Sequence, residues 1–225
     1  MKNSHLVLPD NKNYEYGYDT AYEVAREQLA GSVDIKQQCL NSGATHQEID
    51  SRQVILIDYL NRTYQLVLPD VTVSLADRRE EVSVRDRLLV LHYFIQAKGT
   101  PLTNNLITYK EIPQGVAYYP TFVKRAIKPL LNHFSKEPQQ LVTLAERLGG
   151  RKADYGDVSV TINAFSKVPI TIVMWRGDEE FAPDGSILFD STIPDYLSSE
   201  DIVVLCETIS WSLVRFLREA QKSLS

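Results

Sequence analysis

Between residues 54 and 75 the apolar positions come in short β-branched and aromatic runs: Val54-Ile55-Leu56-Ile57, Tyr64-Gln65-Leu66-Val67-Leu68 and Val71-Thr72-Val73-Ser74-Leu75. Asn61-Arg62 and Pro69-Asp70 separate them. Runs of this length bounded by turn formers predict three antiparallel strands in a meander. On either side the period lengthens to that of helices. Asp19 is placed to cap a helix carrying Ala21, Tyr22, Ala25 and Leu29 on one face and ending at Gly31. A short helix is expected from Asp34 to Asn41, stopped by Gly43. Ser83 with Asp86 three residues on resembles a capping box. It opens a helix through Leu88, Leu89, Leu91, His92 and Ile95 that closes by Gly99; being apolar over most of its circumference, it should be central.

The second half repeats the alternation of periods. Pro120 suits a helix first turn, with Phe122, Ala126, Leu130 and Phe134 inward and Pro129 expected to kink or split it. Pro138 to Leu148 reads as a helix ending at Gly149-Gly150. Val158 to Ile162, Pro169 to Trp175 and Ile187-Leu188-Phe189 make a second antiparallel group. Ser198 or Ser199 then caps a helix with Glu200 and Asp201 in its first turn and a stripe of Ile202, Leu205, Ile209, Leu213, Phe216 and Leu217. The expected fold is α+β: an antiparallel sheet in two strand groups packed against five to six helices. No repeat or long linker divides the 225 residues, so one domain is expected, with residues 1–18 as a loosely ordered arm.

Composition narrows the setting. With 44% hydrophobic residues the chain can bury a substantial core without staples. Cys39 and Cys206 are too few for a disulfide framework, which points to a reducing, cytoplasmic location, a lone bridge between them being the lesser alternative. Met1 to Asp10 lacks the apolar length of an export signal, and no apolar run approaches the roughly 20 residues of a bilayer-spanning helix. A net charge of −5 disfavours nucleic acid as a partner. The locally basic stretch containing Lys110, Lys124, Arg125 and Lys128 is most simply a solvated helix face.

Candidate chemistry concentrates in Gly177-Asp178-Glu179-Glu180-Phe181, between two strands, with Asp190 at the end of the following strand. Carboxylates at a sheet rim suit hard cations, so Asp178, Glu180 and Asp190 are candidate ligands for a divalent ion; a solvated acidic turn is the plainer reading. His92, with Tyr93 beside it, is either a proton-shuttling imidazole or a hydrogen-bonded core residue, and its exposure decides which. Leu148-Gly149-Gly150-Arg151 lacks the glycine spacing of a phosphate loop, so a helix C-cap explains it.

Val168-Pro169-Ile170, Trp175-Arg176-Gly177-Asp178-Glu179-Glu180-Phe181, Ile187-Leu188-Phe189-Asp190 and Tyr196-Leu197-Ser198-Ser199-Glu200-Asp201 together resemble a bacterial and archaeal family of unknown function. Leu148-Gly149-Gly150, Gly156-Asp157 and His92-Tyr93 are similar to its pattern too, so the resemblance spans the chain from about Asp19. The family is often seen in anaerobes, and some members carry an appended four-cysteine iron–sulfur segment. This chain lacks those cysteines, so the resemblance implies no iron–sulfur cluster on it; the setting it implies is anaerobic cofactor or one-carbon metabolism. The expected role is an accessory protein binding a small molecule or a cofactor-bearing partner. Asp178, Glu179, Glu180 and Asp190 would line the cleft, with His92, Tyr93, Tyr118 and Tyr119 as aromatic and hydrogen-bonding walls. The alternatives are a hydrolase or transferase using Mg²⁺ or Mn²⁺ on the same carboxylates, and a protein-interaction module using its tyrosines. A homo-oligomer is compatible with each.

Overall fold

The computed structural model describes residues 12–32, 34–77 and 80–223. The chain opens with α1 (Lys12–Ser32) and α2 (Ile35–Ser42) and continues into a four-stranded antiparallel meander of β1 (Thr45–Ile49), β2 (Arg52–Tyr59), β3 (Arg62–Leu68) and β4 (Thr72–Leu75). After α3 (Val84–Gln96) comes β5 (Leu106–Thr108), then α4 (Gly115–Phe122), a π turn (Val123–Ile127), α5 (Lys128–Phe134) and α6 (Gln140–Ala145). Next are β6 (Arg151–Ala153), β7 (Val158–Phe165), β8 (Val168–Trp175), β9 (Asp184–Asp190) and the long α7 (Ser199–Ser223). The second sheet is antiparallel throughout, in the order β5-β9-β8-β7-β6. The α+β architecture with two antiparallel strand groups is the one expected.

Local chemistry explains most boundaries. Asp34 accepts the N–H of Gln37 at 3.1 Å and so caps α2, and Gly43 at φ +71° ends it. Ser83 Oγ accepts the N–H of Asp86 at 3.1 Å to open α3, and Ser198 Oγ does the same for Asp201 at 3.1 Å to open α7. Gly149, at φ +71°, is the cap expected after α6.

Two expectations are corrected and a third is made specific. Helix α1 begins at Lys12, so Asp19 is not its cap and only residues 1–11 of the expected arm lie outside the described residues. Gly17 costs about 1 kcal/mol in a helix interior, and packing by Tyr18, Ala21, Tyr22 and Ala25 offsets it. Helix α4 starts at Gly115, ahead of Pro120, whose ring sits on the solvent side where only one intrahelical bond is lost. Pro129 breaks the α-helical run as expected: a π turn precedes it, pairing Lys128 N–H with the Val123 carbonyl, and this wider turn gives the ring room.

A ladder of aromatic rings joins the two sheets. Phe165 of β7 stacks on Tyr59 of β2 at 4.7 Å and on Tyr93 of α3 at 4.1 Å, and Tyr93 in turn faces Tyr196 at 6.1 Å. Each ring removes 150–250 Å² from water, so four of them in sequence make one continuous core. The Leu60 N–H bonded to the Ala164 carbonyl at 3.0 Å fixes the same junction through the backbone. Cys39 and Cys206 are buried free thiols, and burial raises both pKa values. No helix among the described residues is long and apolar enough to cross a membrane.

Candidate functional site

The structure divides the sequence-predicted residues between the two ends of β9. Its seven residues, at about 3.4 Å each, separate the ends by roughly 20 Å. Asp178, Glu179 and Glu180 sit beyond the first end, in the connection from β8, and Asp190 closes the other. The trio Asp178, Glu180 and Asp190 is therefore not brought together. Among the described residues no group of three or more His, Cys, Asp or Glu side chains is spaced to hold a metal ion.

The β8–β9 connection is a closed acidic turn. Asp178 Oδ1 accepts the N–H groups of Glu180 at 2.9 Å and Phe181 at 2.7 Å, and the Asp178 N–H bonds the Phe181 carbonyl at 2.9 Å. Those two backbone N–H groups, that of Phe181 first, hold the Asp178 carboxyl below its ordinary pKa. A Cβ on Gly177 would lie 2.6 Å from Pro183 and 2.9 Å from the Phe181 carbonyl, so only glycine lets the turn close. Ser135, Lys136 and Arg176 join residues 177–183 around a shallow groove.

Apolar surface accompanies the carboxylates. Phe181 is 68% exposed, Tyr155 47% and Trp175, at the end of β8, 41%. The loop holding Tyr155 is pressed onto β8 at this end: Gly156 has φ +55°, and a Cβ there would lie 3.1 Å from Trp175 Nε1. Asp157 accepts the Arg176 N–H at 2.8 Å and ties the loop to the turn. The sequence reading missed Tyr155, Trp175 and Phe181; a phenylalanine standing alone between carboxylates and a proline was the available clue.

At the other end the polar residues serve the fold. Asp190 is buried and gathers five donors: the N–H and hydroxyl of Thr103, the N–H of Asn104, and the N–H and hydroxyl of Thr192, at 2.6 to 3.2 Å. Burial pushes its pKa up, but the hydrogen bonds from Thr192 and Thr103 outweigh this and hold it low. His92 is half-buried, and its Nδ1 donates to Asp201 Oδ1 at 2.8 Å, since a carboxylate only accepts. Asp201 also accepts from the Ser198 hydroxyl at 2.6 Å and from Gln96 at 3.4 Å. Burial raises its pKa, and His92, Ser198 and Gln96 together more than reverse that. Asp201 was read from the sequence only as a first-turn acid; its pairing across 109 residues has no local signal.

The tyrosines separate likewise. Tyr93 belongs to the buried ladder and donates to the Ser42 carbonyl at 2.5 Å, and burial takes its pKa well above the ordinary value. Tyr119 is half-buried under Lys110, whose Nζ stands 4.2 Å from the ring centroid. Tyr118 is 51% exposed on α4. Arg125 is bound to Glu207 at 2.6 Å, which removes it from the basic stretch as an anion ligand.

Two antiparallel sheets joined by an aromatic ladder, with an acidic and aromatic turn at one end of the larger, define an α+β protein. The chain belongs to the family described as "Domain of unknown function (DUF3786)", whose pattern it matches over residues 34–211. That match contains the turn, Asp190, His92 and Asp201, and it starts at α2, leaving α1 outside. No curated protein and no solved structure matches the chain.

Proposed function

We propose that this chain is a non-catalytic accessory protein that binds a partner protein through the end of its larger sheet formed by the β8–β9 turn and the residue 154–157 loop. The carrying observation is the exposure of Tyr155, Trp175 and Phe181 beside Asp178, Glu179 and Glu180. Aromatic residues are enriched in protein interfaces because they offer large area at small entropic cost. Asp154, Asp157, Asp178, Glu179, Glu180 and Asp184 outnumber Lys136, Lys152 and Arg176 here, so the favoured partner presents a basic face with an apolar centre. The turn is held by its own hydrogen bonds, so little conformational freedom is lost on binding. The groove beside it is shallow and mixed in polarity, which suits a protein better than an enclosed small molecule. A cofactor-bearing protein is one such partner, in keeping with the anaerobic setting implied by the family resemblance.

A photo-crosslinking residue placed at 181, with a control at the exposed Val24 of α1, tests this in the native cell. A discrete protein adduct from position 181 alone, weakened by salt and lost on Asp178→Asn with Glu179→Gln and Glu180→Gln, is expected. Equal adducts from both positions, or none, would refute the reading.

A further inference from the structure

We propose that the outer edge of β1, unpaired with any other strand among the described residues, pairs with the same edge of a second copy, joining two four-stranded sheets into one of eight. The turn from β1 to β2 has two residues, Asp50 at φ +51° and Ser51 at φ +62°, and is closed by Ile49 opposite Arg52. Two left-handed residues define a type I′ turn, whose closing pair is hydrogen-bonded. Pairs alternate along an antiparallel ladder, so Thr45, Gln47 and Ile49 direct their backbone groups to β2. His46 and Glu48 direct theirs outward, leaving two N–H and two C=O groups on the edge.

This edge carries few of the usual protections, Glu48 being its one carboxylate. At five residues β1 is the longest edge strand among the described residues; β4 has four, and β5 and β6 have three. β6 carries Arg151 and Lys152, whereas β1 has no lysine, arginine or proline. Thr45, Gln47, Glu48 and Ile49 are exposed.

The side chains select both the occupant and the register. A two-fold axis through Gln47 sets His46 opposite Glu48 of the second copy, and Glu48 opposite its His46, each as a hydrogen-bonded pair. An imidazole and a carboxylate, hydrogen-bonding partners by their chemistry, then face one another twice, and Ile49 meets Thr45 on the other face. An axis through Glu48 would oppose the two carboxylates, and one through His46 would oppose the two imidazoles. His46 Nε2, buried with no hydrogen-bond partner, acquires a carboxylate neighbour. A five-residue edge falls short of the roughly 1,200 Å² of a standard interface, so the dimer forms with rising concentration.

Sedimentation equilibrium on the full chain tests this. The mass should climb from 25.6 kDa toward twice that value with concentration. Glu48→Pro removes an outward N–H and leaves the β2 ladder intact, so it should be monomeric with an unchanged melting point. Glu48→Lys should also be monomeric, and adding His46→Glu should restore the dimer by reversing the pair. Where the proline variant fails to fold, the charge-reversal pair decides. A wild-type chain monomeric to millimolar concentration overturns the proposal, as does a dimer that survives Glu48→Pro and Glu48→Lys.

Discussion

At one end of β9 Asp190 is 3% exposed and gathers five donors from three residues on two segments. At the other end Asp178 lies open to solvent and gathers two backbone N–H groups from its own turn. Both carboxyls are held below their ordinary pKa, yet one ties distant segments together and the other shapes a local loop. A lowered pKa therefore does not separate structural from surface roles; the sequence distance of the donors does.

Breaking the buried end should have the largest effect. Asp190→Ala, or Asp201→Ala at the start of α7, leaves several donors unpaired and should cost about 3–5 kcal/mol in chemical denaturation. His92→Ala removes one charge-assisted bond from the buried Asp201, which keeps its bonds from Ser198 and Gln96, and should cost about 1–2 kcal/mol by the same measurement. The acid limb of stability sharpens the contrast. Asp190 and Asp201 have lowered folded-state pKa values, so their contribution is complete above the ordinary carboxylate pKa of about 4. It is lost as pH falls through the folded values. Asp190→Asn should flatten the fall of stability below about pH 4, seen in melting points across an acid series. Smallest of all, Asp178→Asn and Phe181→Ser should leave the melting point unchanged while weakening partner capture. A large drop in the melting point of Phe181→Ser would show that the turn is part of the core.

Legibility from the sequence followed the hydrophobic period. The strands that bury a face, such as β2 with Ile55, Ile57 and Tyr59, were plain. β1, reading Thr-His-Gln-Glu-Ile, was not, because an edge strand exposed on nearly every residue shows no alternation. β5 and β6 are three residues long and held by their neighbours. The helix caps at Ser83 and Ser198 were readable, since a side chain and a backbone N–H three residues on suffice to make them. In the candidate site the acidic turn was legible, but its separation from Asp190 was not: residues 178 and 190 are near in sequence and far apart because a straight strand lies between them. Nor could exposure be read for Trp175 and Phe181, which composition alone would place inside.

The aromatic ladder also constrains how the chain is made. Tyr59 must wait for Phe165, 106 residues later, and Tyr93 for Tyr196. At 5–20 residues per second the meander leaves the ribosome roughly 5–20 s before the ring that covers Tyr59 has been synthesised. For that interval Tyr59 has α3 against it but lacks the ring that stacks on its face. A stop codon anywhere before Phe165 therefore removes the ring that stacks on both Tyr59 and Tyr93, and with it the junction between the two sheets.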